Sequence, residues 1–516
     1  MSNKSIVWVL IAFGVYLIGM IMIGAGYAKK TKNTEDYFLG GRGLNGWVAA
    51  LSAQASDMSG WLLMGLPGAI YLAGTGECWI AIGLFIGTVF NWTLISSRLR
   101  RYTIEANNSL TLPAYFENRF RDKSKILLTV SSVFIVIFFL VYTASALAAG
   151  GKLFNVVFGL DYQVALTIGA IVILVYTFLG GFMAVCVTDF IQGMLMLCGL
   201  FLVPILALII VSPSNLVAMI GESGVTGGTA SYLNLFQSGG KNLSAVSIIS
   251  SLGWGLGYCG MPHILTRFMA ISSEKELRKS RVIGIVWVAI SLGFASAVGV
   301  IGRAYLMPVI LGTEAAGSAE NVFIKIIMKL FTEDLAFPFI GGIFLCGILA
   351  AIMSTADSQL LVTAASVSED IYKGVVNPKA EDSKVLTLSR FTVIIVAVLA
   401  YFIALNPNNS IMGLVSNAWA GFGAAFGPLV LLSLFWKRCN RAGAIAGMVS
   451  GGLTVIIWDY IPLVNGSTLG TATGLYSLVV GFAISCAVIA VVSLATKEPS
   501  EEIQAEFERV KEFKEI

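Results

Sequence analysis

Thirteen stretches of the chain are long and apolar enough to cross about 30 Å of hydrocarbon. They run roughly from 6 to 28, 47 to 72, 77 to 97, 126 to 153, 162 to 183, 188 to 211, 243 to 260, 281 to 307, 337 to 364, 386 to 405, 411 to 435, 442 to 461 and 474 to 495. The first is too long for the apolar core of a signal peptide and has no A-x-A exit, so it is read as a spanning helix. Between the runs lie two longer connections, a Gly/Ser/Asn-rich segment at 212 to 242 and a second at 308 to 336. The second is expected to form in part a surface helix, from an N-cap at Ser318 to about Phe331. A tail opens with Pro499, Ser500, Glu501 and Glu502 and carries Ile503, Phe507, Val510 and Phe513 at three- to four-residue spacing. That pattern predicts an amphipathic helix resting on the cytoplasmic face.

Composition agrees with an all-α membrane protein. Of 516 residues 57% are hydrophobic and 12% charged, with mean hydropathy +0.85, outside the range of soluble domains. An odd number of spans places the termini on opposite sides, and the basic residues orient them. If the spans alternate, 27 of the 33 lysines and arginines fall on one side, and the other six are Lys4, Lys152, Lys241, Arg303, Lys325 and Lys329. The positive-inside rule then puts the N-terminus outside and the C-terminus in the cytoplasm; the expected location is the cell membrane. Seven cysteines lie scattered in apolar surroundings without metal-like spacing, as small hydrophobes do. A single histidine, His263, excludes a multi-histidine metal centre; it is expected at the interface, with proton relay as the alternative.

Two spans are interrupted where a helix should be continuous. Ala53 to Gly68 reads AQASDMSGWLLMGLPG, with Asp57 inside an apolar run and Ser59, Gly60, Gly65, Pro67 and Gly68 after it. A carboxylate at the centre of a span costs about 2.5 to 3.5 kcal/mol on insertion scales, which marks a functional site by default. Five spans later comes GWGLGYCGMP at 253 to 262. Paired broken segments in corresponding positions point to a transporter built from inverted repeats. The expected division is 1–42 as an extra helix and loop, 43–211 and 243–436 as a 5+5 repeat core of the LeuT type, 212–242 as an external loop, 437–496 as two further spans, and 497–516 as the tail.

The ninth span is polar where it should be apolar, with Ser354, Thr355, Asp357 and Ser358 within five residues. Ser354, Thr355 and the Ala351 carbonyl one turn earlier offer three oxygens; the carbonyls of Ala55 and Met58 at the first break offer two more. Such a set suits a hard cation, and without a formal charge in it suits a monovalent one, sodium, with Asp57 supplying a nearby negative field. The alternative is that both hydroxyls bond back into their own helix. Trp254 and Tyr258, at i and i+4, would share one α-helical face. They are either pocket walls or lipid-facing aromatics, and four glycines in that segment favour a pocket.

The chain resembles the sodium:solute symporter family in GGRGL (40 to 44), LSAQASDMSGWLLMGLPGAIY (51 to 71), LTLPAYFENRF (110 to 120), GWGLGYCGMPHILTRFMA (253 to 270), LAAIMSTADSQLLV (349 to 362) and GLVSNAWAGFGAAFGP (413 to 428). The resemblance implies import of L-proline coupled to Na+, with no other cofactor. It implies a sodium site at Ala55, Met58, Ala351, Ser354 and Thr355, with Asp57 needed for high sodium affinity. It places Ser59 and Gly60 between ion and solute, and Tyr142, Trp254, Tyr258 and Pro262 at the solute or its gate. Arg42 and Asp189 would affect coupling, although Arg42 reads equally as a plain positive-inside residue and Asp189 as an N-cap. Two departures from the family pattern are Cys259, where an aromatic is expected, and the added acid Asp357. The alternatives are the same fold carrying another small amino or organic acid, and a transporter-like solute sensor. Nothing suggests an enzyme: there is no Walker loop, nucleophile motif or acid/base pair in a soluble domain. No protein partner and no nucleic acid are implied.

Overall fold

The computed structural model describes residues 2–28, 33–179, 181–306, 316–407, 409–464 and 466–512. Lys29, Lys30, Lys32, the first part of the 308 to 336 connection and Phe513 lie outside the described residues. The chain is helical almost throughout, with two short hairpins at 237–242 and 462–468. In order the main helices are α1 (Asn3–Ala28), α2 (Gly46–Asp57), α3 (Leu66–Ala73), α4 (Cys78–Phe90), α5 (Ser96–Glu105), α6 (Leu112–Phe120), α7 (Ile126–Phe158), α8 (Tyr162–Leu179), α9 (Phe182–Val211) and α10 (Ala245–Gly253). There follow α11 (Pro262–Ala270), α12 (Glu274–Leu306), α13 (Val322–Lys329), α14 (Pro338–Ala365), α15 (Asp382–Ala404), α16 (Ile411–Phe435), α17 (Arg441–Tyr460), α18 (Ser477–Ala495) and α19 (Glu501–Glu512).

Among the described residues ten helices are long and apolar enough to cross a membrane, so this is a multi-pass membrane protein. The other three apolar runs are divided or short. The second is cut between Asp57 and Trp61, the seventh is wound as a 3₁₀ helix over Trp254–Gly260, and the fifth is the 18-residue α8. At the centre stand α14 and α16, each buried over 83% of its apolar 18-residue stretch. The first of them packs against α1, α2, α7 and α9, and the second against α7, α17, α18 and the 3₁₀ segment. Lipid-facing α1 and α18 keep large apolar side chains exposed, such as Ile18, Met22 and Val491.

Both interruptions have local causes. Met58 leaves the helical region (φ −85°, ψ 78°), a π-helix resumes at Trp61–Gly65, and α3 continues it to Ala73, with Pro67 removing one helical hydrogen bond within it. In the seventh run the glycines permit close approach: a Cβ on Gly255 would stand 2.2 Å from the Gly83 carbonyl oxygen, and one on Gly257 would stand 2.0 Å from Trp419 Nε1. The 3₁₀ winding, about three residues per turn, sets Trp254 and Tyr258 about 120° apart, not on the single face that α-helical spacing predicts.

Three further expectations are corrected. The helix in the 308 to 336 connection is not on the surface: α13 buries Val322, Phe323, Ile324, Ile326 and Ile327, because one side of it is capped by the bundle. His263 is not interfacial but fully buried, its ring edge-on to Phe139 at 5.5 Å, since α11 continues the seventh run inward to Ala270. Arg267, counted with the loop cations, is 0% exposed inside the bundle. The tail helix forms and docks on protein, with Ile503, Phe507 and Val510 buried and Arg121 bridging Glu502 and Glu506.

Candidate cation and solute site at the broken helices

Where α2 ends, its last carbonyls face α14. Ser354 Oγ donates to the Ala55 carbonyl oxygen at 2.8 Å and stands 3.2 Å from that of Ala351; Thr355 Oγ1 stands 3.4 Å from the Ala55 oxygen. All four residues are fully buried. The hydroxyls therefore reach across the bundle rather than only bonding back into their own helix. Two hydroxyls and two carbonyls meeting in a dry interior make an oxygen-only donor set, the kind a hard cation prefers. Met58 is held at the same turn, its amide donating to the Gln54 carbonyl at 2.9 Å. No group of three or more His, Cys, Asp or Glu arranged to hold a metal ion is found among the described residues.

Asp57 points the other way. Its Oδ2 accepts from Tyr258 Oη at 2.6 Å, and its backbone carbonyl accepts from Trp61 Nε1 at 2.9 Å and Tyr142 Oη at 3.5 Å. The carboxylate thus ties the first break to the second, two residues along the chain from the carbonyl that the hydroxyls meet, and Oδ1 is buried without a hydrogen-bond partner. Ser59 Oγ accepts from the Trp61 amide at 3.4 Å, and Gly60 is pressed against Ala149, where an added Cβ would stand 2.8 Å from the Ala149 methyl. Ser59, Gly60, Tyr142 and Tyr258 are in this way gathered around Asp57.

Trp254 and Pro262 lie outside that group. The Trp254 ring stacks on Tyr476 at 5.4 Å, while its carbonyl accepts from Trp419 Nε1 at 2.8 Å. Trp419 in turn meets Tyr258 in a T-shaped contact at 5.1 Å. Pro262 opens α11 on the far side of the break and lines a small cavity with Thr111, Thr266, Val362 and Ser366. Trp61, Trp419 and Tyr476 carry contacts that sequence reasoning missed; Trp419 lay in a quoted motif, yet nothing local tied it to the second break.

The predicted coupling residues sit toward the end of the bundle that carries most of the basic side chains. Arg42 closes a joint there, donating to Asn108 Oδ1 at 2.8 Å and to the carbonyls of Met269 at 2.6 Å and Ser109 at 3.0 Å. Beside it the Leu44 backbone pairs with Ala270 and Ser272, joining the strand that enters α2 to the exit of α11. Burial, and then the neighbouring Arg100, lower the Arg42 guanidinium to about 10, which still leaves it charged at neutral pH. Asp189 is the eighth residue of α9, so it caps nothing. Its Oδ2 accepts from Ser52 Oγ at 2.7 Å and from Arg267 Nη2 at 3.2 Å, and the same Nη2 donates to Ser358 Oγ at 2.5 Å. This fully buried pair joins α2, α9, α11 and α14. Removing either partner of such a pair costs about 3 to 5 kcal/mol, because an uncompensated charge is left behind.

Comparison with known proteins fits this geometry. The family model described as "Sodium:solute symporter family" matches residues 37–451. The sodium/proline symporter of Escherichia coli (strain K12) is 46% identical over 500 residues, 96% of this chain and 95% of the relative. That of Staphylococcus aureus (strain JH9) is 44% identical over 509 residues, 98% and 96% of the two chains. Among solved structures, a substrate-bound, outward-open Na+-coupled sialic acid symporter superposes with a TM-score of 0.75 at 20% identity, covering 96% of this chain and 98% of the other. MhsT in complex with L-phenylalanine superposes with a TM-score of 0.53 at 15% identity, covering 87% and 98%. The fold is thus shared with broken-helix transporters, and by its matched length and its relatives the chain belongs to the sodium:solute symporter family.

Proposed function

We propose that this protein imports L-proline together with Na+ by alternating access, and is not an enzyme. The observation that carries the reading is the crossing of Ser354 and Thr355 to the Ala55 carbonyl, two residues from a carboxylate held by Tyr258. A sodium ion among Ala55, Met58, Ala351, Ser354 and Thr355 would hold α2 against α14. Proline is a zwitterion with a compact apolar ring. The amides near Ser59 and Gly60, at the start of a half-helix, suit its carboxylate, and the faces of Tyr142 and Tyr258 suit its ammonium, at about 0.5 to 2 kcal/mol for a cation over an aromatic ring. Trp254 supports that wall from behind, and Pro262 and Arg42 belong to its inner gate. We take the three divided or short runs as spans too, which gives thirteen, the repeats 43–211 and 243–436, an external N-terminus and a cytoplasmic C-terminus.

One positive charge moving inward through 100 mV releases about 2.3 kcal/mol, roughly fifty-fold accumulation before any chemical gradient of sodium is added. Uptake of labelled proline into cells or vesicles, with sodium or with choline, tests the proposal. Sodium-dependent, potential-driven uptake is expected. Proline uptake that ignores sodium, or sodium-dependent uptake of a different small acid with none of proline, overturns it.

A further inference from the structure

Below the cation site the same helix carries a second, separate oxygen cluster. Ser354, Ser358, Ser366 and Asp370 follow at four-residue steps, interrupted only by Val362, so that each lies one turn from the next position. The last two stand in a π-helical continuation, Ser366–Val376, of a 39-residue span, Pro338–Val376. A span of that length overshoots 30 Å of hydrocarbon and brings Asp370 to the basic mouth of the bundle, about 24 Å from Ser354 along the helix.

Asp370 is 2% exposed. Its Oδ1 accepts from Thr111 Oγ1 at 2.6 Å, while Oδ2 has no hydrogen-bond partner; Ser366 Oγ, 1% exposed, lies near the carboxylate outside hydrogen-bond geometry and has none either. Neighbouring carboxylates each have a lysine: Glu369 has Lys373 at 3.3 Å, and Glu117 has Lys125. Among the described residues no lysine or arginine pairs with Asp370, and the charged groups that act on it most strongly, Glu369 and Glu117, are themselves acidic. Ser366 and Thr111 also line the small cavity below Pro262. A buried acid without an ion-pair partner either keeps its proton or takes a cation, and one free oxygen beside two hydroxyls is an oxygen-only set of the kind a hard cation accepts.

We infer that Asp370, Ser366 and Thr111 form a transient site for a sodium ion leaving toward the cytoplasm. Arg267, paired with Asp189 and bonded to Ser358, stands between the two clusters and keeps them distinct. The role of the site is one-sided. It lowers the barrier to release and lets cytoplasmic sodium bind back, while binding from outside depends on Ser354 and Thr355. The inference rests on the sodium symport proposed above, and its test reads the inner face separately.

The full-length protein in membrane vesicles of both orientations provides that test. With Asp370→Asn, the sodium concentration half-saturating proline transport from the cytoplasmic face is expected to rise at least fivefold, and from the external face to change less than twofold. Ser366→Ala removes a hydroxyl without a partner and is expected to shift the same side by about threefold; it keeps the comparison available should Asp370→Asn fail to reach the membrane. Labelling of Val362→Cys by a charged thiol reagent, read by mass spectrometry of that peptide, gives a second readout. Sodium, against choline at equal strength, is expected to slow it at least threefold. That protection should persist with Ser354→Ala and vanish with Asp370→Asn or Ser366→Ala. Equal shifts at both faces, or a labelling rate indifferent to sodium, overturn the inference; sodium-independent uptake by the unsubstituted protein instead overturns the proposed function.

Discussion

The two breaks differ in what they are made of. Between Asp57 and Trp61 the chain leaves the helix through Met58, Ser59 and Gly60 and exposes oxygens: the Ala55 carbonyl to Ser354, the Asp57 carboxylate to Tyr258. Over Trp254–Gly260 the backbone stays helical, tightened to 3₁₀, and its glycines let Gly83, Trp419 and Phe422 come into contact. The first break is chemical and the second is steric. A cation needs donors, which backbone and a few short side chains supply; an apolar ring needs a wall, which requires helices close enough to hold aromatics rigid.

Substitutions separate the two roles. The largest effect is expected at the steric break: Gly257→Val places carbon 2.0 Å from the Trp419 ring nitrogen, where overpacking costs at least about 1 to 3 kcal/mol. Proline uptake should fall more than a hundredfold, together with the melting temperature of the purified protein. Normal stability with normal uptake would mean that the contact is dispensable. At the chemical break, Asp57→Asn keeps size and removes charge. It should leave the melting temperature nearly unchanged and raise half-saturating sodium at least tenfold, equivalent to about 1.4 kcal/mol; a variant with unchanged sodium dependence would strip Asp57 of its role. Smallest is Trp254→Phe, which keeps a ring over Tyr476: the proline KM should rise no more than about threefold, with sodium dependence untouched. A sodium effect there would blur the distinction.

Sequence made the breaks legible because each has a local signature: a carboxylate in an apolar run followed by Gly and Pro, and four glycines within eight residues. The Ser354–Thr355 pair was legible for the same reason, as polarity in a span that should have none. Arg267 was not. It follows an apolar stretch and precedes Lys275 and Arg278, which is how a loop cation reads, and its burial depends on Asp189 and Ser358 from two distant spans. Asp189 looked like a cap for the same reason, since only the full helix shows it in the third turn. The Trp254–Tyr258 face was misjudged because the i, i+4 rule presumes α-winding, which the glycine contacts with neighbouring helices replace by 3₁₀. In α13, Val322, Phe323 and Ile326 beside Lys325 and Lys329 give an amphipathic pattern, but pattern alone does not say how deep the helix sits.

The central claim is that the two breaks, joined by the Asp57–Tyr258 hydrogen bond, act as one site together with the α14 hydroxyls that meet the Ala55 carbonyl. Ligands so joined strengthen each other by the same factor. The most direct test is equilibrium proline binding to the purified protein across a sodium titration, for the unsubstituted chain, Tyr258→Phe and Ser354→Ala. Saturating sodium should tighten proline binding at least tenfold in the unsubstituted protein and by clearly less in both variants. The same sodium dependence in all three would contradict the account.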